Sequence, residues 1–335
     1  MEAYAQNKPM LPAPLYDLQV WDQLSPSECA AIAQVVARRL PPAFHFVRIE
    51  TYAAGTQRHQ IALFTWQAPA EREPCYFVLI PGSTATLGYD RAHKPRPSAE
   101  HMYEWQNSHF YKEVSPVTFD GERVSDTLPP RYDRLYEHMD TVLSPLRTVT
   151  ITPFLLEVAA RHPQQLVAKV VGKYKYQHFQ HSKRKIRGKC WPPDFPHHLA
   201  KRLIGPSGFR LPTSNEWEYA CAAGTRTLFY WGNAPFDETN KPYDEMDEHE
   251  YPSLNAFGLS IATGSSRGEF CAEPEIMRGG DGGVADCGGY GVLAVLLPLA
   301  SSYVDPIDNK ESILIGGYGG YVRRLYDLAR LSPSQ

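Results

Sequence analysis

The chain has 335 residues, is 43% hydrophobic and 21% charged, and carries a formal net charge of −3. This length and apolar content suit one large globular domain or two ordinary ones and exclude wholesale disorder and collagen-like repeats. The near-neutral balance gives no global pull toward nucleic acid or an anionic membrane, and six cysteines without a CxxC pair are too few for a disulfide scaffold.

Reduced thiols and a cytoplasmic setting are therefore expected, and the opening MEAYAQNKPM has neither the basic start nor the apolar core of an export signal. The 29 Pro, 24 Gly and 20 Tyr favour short elements joined by many turns. Ser25-Pro26-Ser27-Glu28 predicts a capped helix running to about Arg39. FHFVRIETY (44–52) and HQIALFTW (59–66) flank Ala54-Gly55-Thr56 as a hairpin. CYFVLI is a buried-strand run stopped by Pro81-Gly82, and TATLGYD follows as a short strand. Residues 91–146 lack a sustained period and are assigned to a long structured insertion. RTVTITPFLLEVAAR (147–161) predicts a strand and then a helix entering at Thr152-Pro153.

Lysine, arginine and histidine crowd residues 169–189, interleaved with Tyr174, Tyr176 and Phe179, but no nucleic-acid module surrounds them. The stretch is assigned to a solvated loop, as is the acidic DEMDEHE at 244–250, which lacks the ligand spacing and turn glycine of a calcium loop. In GFRLPTSNEWEYACAAGTRTLFYWGN (208–233), Thr213 is an N-cap with Glu216 three residues on. Trp217 lies in a helix ending at Gly224, Arg210 can pair with a helix carboxylate, and Trp231-Gly232-Asn233 anchors a tight turn.

This segment resembles the signature of the formylglycine-generating-enzyme/sulfatase-modifying-factor family, in which an R-L-P-T strand leads into an E-W-E-Y-A helix and a W-G-N turn. Matches in the family's order are Phe77 to Gly82 with Thr86-Leu87-Gly88, then Asn255-Ala256-Phe257-Gly258-Leu259, then Arg278-Gly279-Gly280. The resemblance covers roughly residues 75–325. It implies an α+β, C-type-lectin-like fold with many irregular loops, giving a domain over 75–335 that carries the insertion at about 91–146. Residues 1–74 are then an N-terminal α/β addition.

Family members that oxidise a substrate cysteine resemble one another in a cysteine pair after the R-G-G strand that binds copper. Here only Cys287 follows, so the sulfatase-activating reaction is not expected and no catalytic residue or cofactor is assigned. Related sulfoxide synthases carry iron on histidines of a helical domain. The candidates here are Glu100-His101 with His109, His178 with His181, and His197-His198; each sits in polar or Pro-flanked sequence where exposure is expected, so no metal site is assigned. Where the family has H-G-N-V-W-E-W, framing a calcium site, this chain keeps only Glu269 and the aromatic Phe270, which speaks against calcium. GGYGGY (316–321) is read as a turn before a final strand YVRRLY, not as a phosphate-binding loop.

The longest apolar run, Tyr290 to Val304, is shorter than the ~20 residues of a spanning helix and is broken by Pro298, so it is read as buried strand and loop and no membrane association is expected. From Gly279 to Asn309 the chain has no Lys, Glu, Gln, Met or Trp. These five cannot arise from base replacement within an asparagine AAY codon that keeps its third pyrimidine. Variable proteins of diversity-generating retroelements, which share this fold, display such a segment after R-G-G for ligand binding. The expectation is a non-catalytic protein that binds a protein or small-molecule ligand, a diversified variable protein being its sharpest form. Asp281, Asp286, Tyr290, Tyr303 and Asp305 are the ligand-contact candidates; Arg210, Thr213, Glu216, Trp217, Trp231, Asn255 and Arg278 are the structural motif. The alternative is an iron-dependent oxidoreductase of the same superfamily.

Overall fold

Ser25 caps the first long helix: its hydroxyl accepts the Glu28 N–H while the Glu28 carboxylate accepts the Ser25 N–H. The computed structural model describes residues 11–67, 74–108, 131–162, 197–234, 254–287, 291–306 and 320–331, without the side chains of Asp286, Cys287 and Pro306. A short helix α1 (Leu18–Asp22) precedes the capped helix α2 (Pro26–Ala37), which buries Cys29, Ala33 and Val36. Strands β1 (Phe44–Ala54) and β2 (Gln57–Trp66) form the expected hairpin, and Gly55 at φ +57° makes the two-residue turn whose twist suits paired strands.

That hairpin does not stand apart. β2 pairs with β3 (Cys75–Ile80), β3 with β6 (Phe154–Glu157) and β6 with β10 (Leu325–Asp327), giving an antiparallel five-stranded sheet in the order β1-β2-β3-β6-β10. The division placed at residue 74 falls between β2 and β3, two hydrogen-bonded neighbours in this sheet. Its centre is apolar on both faces, as a strand paired on both sides requires: Phe77, Val78, Leu79, Ile80, Leu155 and Leu156 are all fully buried. A two-stranded sheet pairs β4 (Ser83–Leu87) with β5 (Arg147–Ile151), and a small three-stranded sheet joins β7 (Glu269–Phe270), β8 (Ile276–Arg278) and β9 (Asp305–Pro306).

Two conformations differ from expectation. Residues after Thr152-Pro153 form strand β6, not a helix, because Phe154–Glu157 finds ladder partners on both sides, which overrides the helix preference of a Leu-Leu-Glu run. The apolar run after Tyr290 is buried as expected, yet it coils into helix α8 (Val292–Leu296) and a 3-10 turn over Leu297–Leu299. Gly291 at φ +80° turns the chain there, close against the backbone of Glu104 and Trp105. The described part of the insertion contains α3 (Ala99–Asn107), capped by Ser98, and α4 (Tyr132–Val142). The final strand is shorter than YVRRLY: Val322 makes only a bridge to Arg161, and Leu325 begins β10. The basic stretch 169–189, the acidic stretch 244–250 and Gly316–Gly319 lie outside the described residues. Among the described residues no helix is long and apolar enough to cross a membrane.

Candidate binding cleft and the ion pairs beneath it

Helix α5 (His197–Ile204) leads to the segment carrying the strongest sequence signal, helix α6 (Ser214–Ala222). The Thr213 hydroxyl accepts the Glu216 N–H at 3.2 Å, and the Glu216 carboxylate accepts the Thr213 N–H at 2.8 Å. The same carboxylate takes two bonds from Arg210, at 2.6 and 2.7 Å, so the predicted pair of Arg210 with a helix carboxylate is present. The helix ends at Ala223 in a left-handed conformation, φ 46°, whose carbonyl faces Nε2 of buried His59 at 2.9 Å. Nδ1 of that ring lies 2.9 Å from Asp22. Asn255 is fully buried: its amide donates to the carbonyls of Ala220 and Cys221, and its oxygen accepts the N–H groups of Phe257 and Leu259. One side chain thus ties the N-A-F-G-L turn to the end of α6.

Two further buried carboxylates, Glu269 on β7 and Glu218 on the helix itself, accept from cations here. Trp217 donates its indole N–H to Glu269 at 2.9 Å, and Arg323 grips Glu269 with bonds of 2.6 and 2.7 Å. Both Glu269 oxygens are therefore occupied, so the residue retained from the family's calcium-framing run is committed to a structural ion pair. Glu218 receives Arg278 at 2.8 Å, Arg147 at 2.8 Å, the Ser144 hydroxyl at 2.9 Å and the N–H of Gly88. Arg278 donates in addition to Ser214 and to the carbonyls of Ser301 and Tyr303. A buried carboxylate with this many charge-assisted donors is a fixed structural member.

Directly above Glu218 the surface opens into a small cleft of about 80 Å³, bounded by Leu87 to Asp90 with His93 and Pro95, the turn after α6, and Ser301-Ser302. Its exposed groups are polar. Arg226 donates to the carbonyls of Thr86 and Gly88, leaving its positive charge without a carboxylate in hydrogen-bond contact among the described residues. Asp90 accepts from the His93 ring, which holds its carboxyl below the usual range. Asn233 of the W-G-N turn accepts the Leu228 N–H at 2.8 Å, while Trp231 stacks on Phe229 with ring centroids 4.7 Å apart. Tyr89 in the wall is 6% exposed and its hydroxyl has no hydrogen-bond partner among the described residues; burial pushes its pKa up.

The ligand-contact candidates fare differently. Asp281 is half-buried, which raises its pKa, and accepts the N–H groups of Gly283, Val284 and Ala285, so it caps α7 (Val284–Cys287). Tyr303 is only 7% exposed; burial, then the charges of Asp305 and Asp281, push its pKa up, which places these three near one another. Asp286 falls in α7 with its side chain outside the described set, and Tyr290 lies outside the described residues. The residues that line the cleft instead, Asp90, His93, Arg226 and Asn233, were not singled out as contacts. The signal was present in the turn sequences L-G-Y-D and W-G-N.

Histidine exposure is corrected in part. His101 and His197 are buried at 7% and 8%, the latter's Nε2 lying 2.8 Å from the Cys271 carbonyl, whereas His198 is exposed. His109, His178 and His181 lie outside the described residues. A copper pair is not supported by the donor set: the sequence offers one thiol after the R-G-G strand, and Cys29, Cys221 and Cys271 are buried, with burial pushing the Cys29 thiol to about 11 and the other two higher. Among the described residues no group of three His, Cys, Asp or Glu side chains could hold a metal ion.

Residues 168–267 match the family model of the sulfatase-modifying factor enzyme 1-like domain. This part of the chain is similar to the sulfatase-modifying factor family. The sulfatase-modifying-factor match contains Arg210, Thr213, Glu216, Trp217, Trp231 and Asn255, and stops before Arg278 and the five C-terminal candidates. The α+β architecture of three antiparallel sheets and short helices fits the C-type-lectin-like fold of that family. No curated protein matches the chain.

Proposed function

We propose that this chain is a recognition protein on a C-type-lectin-like scaffold, and that the cleft over Glu218 takes a small polar ligand such as a saccharide or a short peptide segment. The observation that carries the reading is the placement of that cleft. Glu218, held from beneath by Arg147 and Arg278, lies at its floor and Arg226 and Asp90 border its mouth, so a rigid base presents charged and hydrogen-bonding groups at the surface. The chemistry of the copper-dependent relatives needs a second thiolate that the sequence after Arg278 does not contain. A diversified C-terminal segment gains no support from burial, since Leu293, Leu296, Leu297 and Leu299 are core residues.

The test combines metal analysis with binding. The purified chain is expected to contain far less than one copper or iron per molecule, and to bind members of an oligosaccharide and peptide array in a manner weakened at least about tenfold by Arg226→Ala. Stoichiometric copper or iron supports the oxidoreductase alternative and overturns the proposal, as does array binding that is indifferent to Arg226→Ala.

A further inference from the structure

On the far side of the central sheet from α6, four ionisable side chains converge where β3, β6 and the segment entering β10 meet. Glu157, 3% exposed, accepts from Arg324 at 2.7 and 2.8 Å and from Arg161. Arg324 is 4% exposed, its guanidinium packed against the rings of Trp66, Phe77 and Phe209 at 4.8, 5.5 and 4.9 Å. Arg161 donates its remaining contact to the sulfur of Cys75, and Arg324 forms a side-chain hydrogen bond with that sulfur as well.

We propose that Cys75 is a thiolate at neutral pH and completes a buried charge cluster that locks β3, β6 and β10 together. A guanidinium only donates, so the sulfur is the acceptor in both contacts, a role that a thiol fills weakly and a thiolate fills well. Charge balance leads to the same place. Two guanidiniums share one carboxylate, and a thiolate at Cys75 balances the second positive charge, which a thiol leaves to the partly exposed Arg161. Burial alone would lower the pKa of Arg324, but the Glu157 carboxylate and then the Cys75 sulfur more than reverse this. The faces of three aromatic rings, Trp66, Phe77 and Phe209, pack against the Arg324 guanidinium, and His162, next to Arg161 in the chain, packs edge-on against Tyr321. Cys221 and Cys271 differ because among the described residues no hydrogen bond joins either sulfur to a cation, and burial dominates, keeping them thiols. The cluster is thus a latch on the β10 edge, opened by acid or by any modification that removes the sulfur's charge.

The test is ultraviolet thiolate absorbance of the folded full-length chain. At neutral pH the wild type is expected to show about one thiolate equivalent more than Cys75→Ser, and Arg161→Met is expected to move that absorbance to higher pH. Should Cys75→Ser not fold, the ¹³Cβ resonance of Cys75 in the labelled wild type replaces the comparison, with a thiolate-type shift at neutral pH expected. Equal absorbance in wild type and Cys75→Ser, or a thiol-type ¹³Cβ shift at neutral pH, overturns the proposal.

Discussion

Glu218 and Arg278, each 1% exposed, meet at 2.8 Å beneath the cleft. Their attraction must offset the loss of two hydration shells, so the pair is worth little relative to an apolar pair but much relative to either charge alone. Glu218→Gln or Arg278→Met is expected to cost ~3–5 kcal/mol singly, and the double variant less than the sum of the two. Urea unfolding of the two single variants and the double variant checks this; additive losses would show that the pair is not coupled.

Gly88 sits at φ +97°, and a Cβ there would lie 2.1 Å from the Pro145 carbonyl oxygen. Its N–H also serves Glu218 and its carbonyl accepts from Arg226. Gly88→Ala is therefore expected to destabilise by at least on the order of 1–3 kcal/mol from backbone strain alone and to abolish cleft binding. Thermal unfolding together with the array assay measures both effects.

Burial lowers the pKa of His138, on α4, from 6.5 to about 4. The folded chain holds the ring neutral while the unfolded chain protonates first. The contribution is complete above about 6.5 and is lost as pH falls toward about 4, by no more than about 3 kcal/mol. Denaturant midpoints of wild type and His138→Gln, followed from neutral to mildly acidic pH, should diverge in slope, the variant being flatter. Parallel curves would exclude His138 as the source.

His59 spans Asp22 on one side and the Ala223 carbonyl on the other, both at 2.9 Å. Phenylalanine fills the volume but strands both acceptors, so His59→Phe is expected to cost ~1–3 kcal/mol. Because Ala223 is the left-handed stop of α6, amide exchange should quicken first at the C-terminal turn of that helix.

Elements governed by local chemistry were legible in the sequence. The capping boxes at Ser25 and Thr213 and the Arg210–Glu216 pair depend on residues within six positions of one another, and the β1–β2 hairpin on a two-residue turn between adjacent strands. Strand β6 was not, because its conformation comes from β3 and β10, about 75 residues before it and 170 after it. The cleft was hidden for the same reason: Tyr89, Arg226 and Ser302 converge only through the Glu218 cluster. Asp281 and Tyr303 carried suitable contact chemistry, but the fold engages one as a cap and buries the other.

Arg323 and Arg324 follow each other along one extended segment and reach opposite sides, the first to Glu269 and the second to Glu157. Their carboxylate partners lie 54 and 167 positions earlier in the chain. Until this pair of arginines arrives, Glu269 lacks its guanidinium partner, Glu157 has Arg161 alone, and β6 has β3 as its one strand neighbour among the described residues. Assembly must therefore finish with the closing of this double clasp, a step of high loop-closure entropy, and a half-made molecule will keep its sheet edge open to adventitious strands for as long as that step takes.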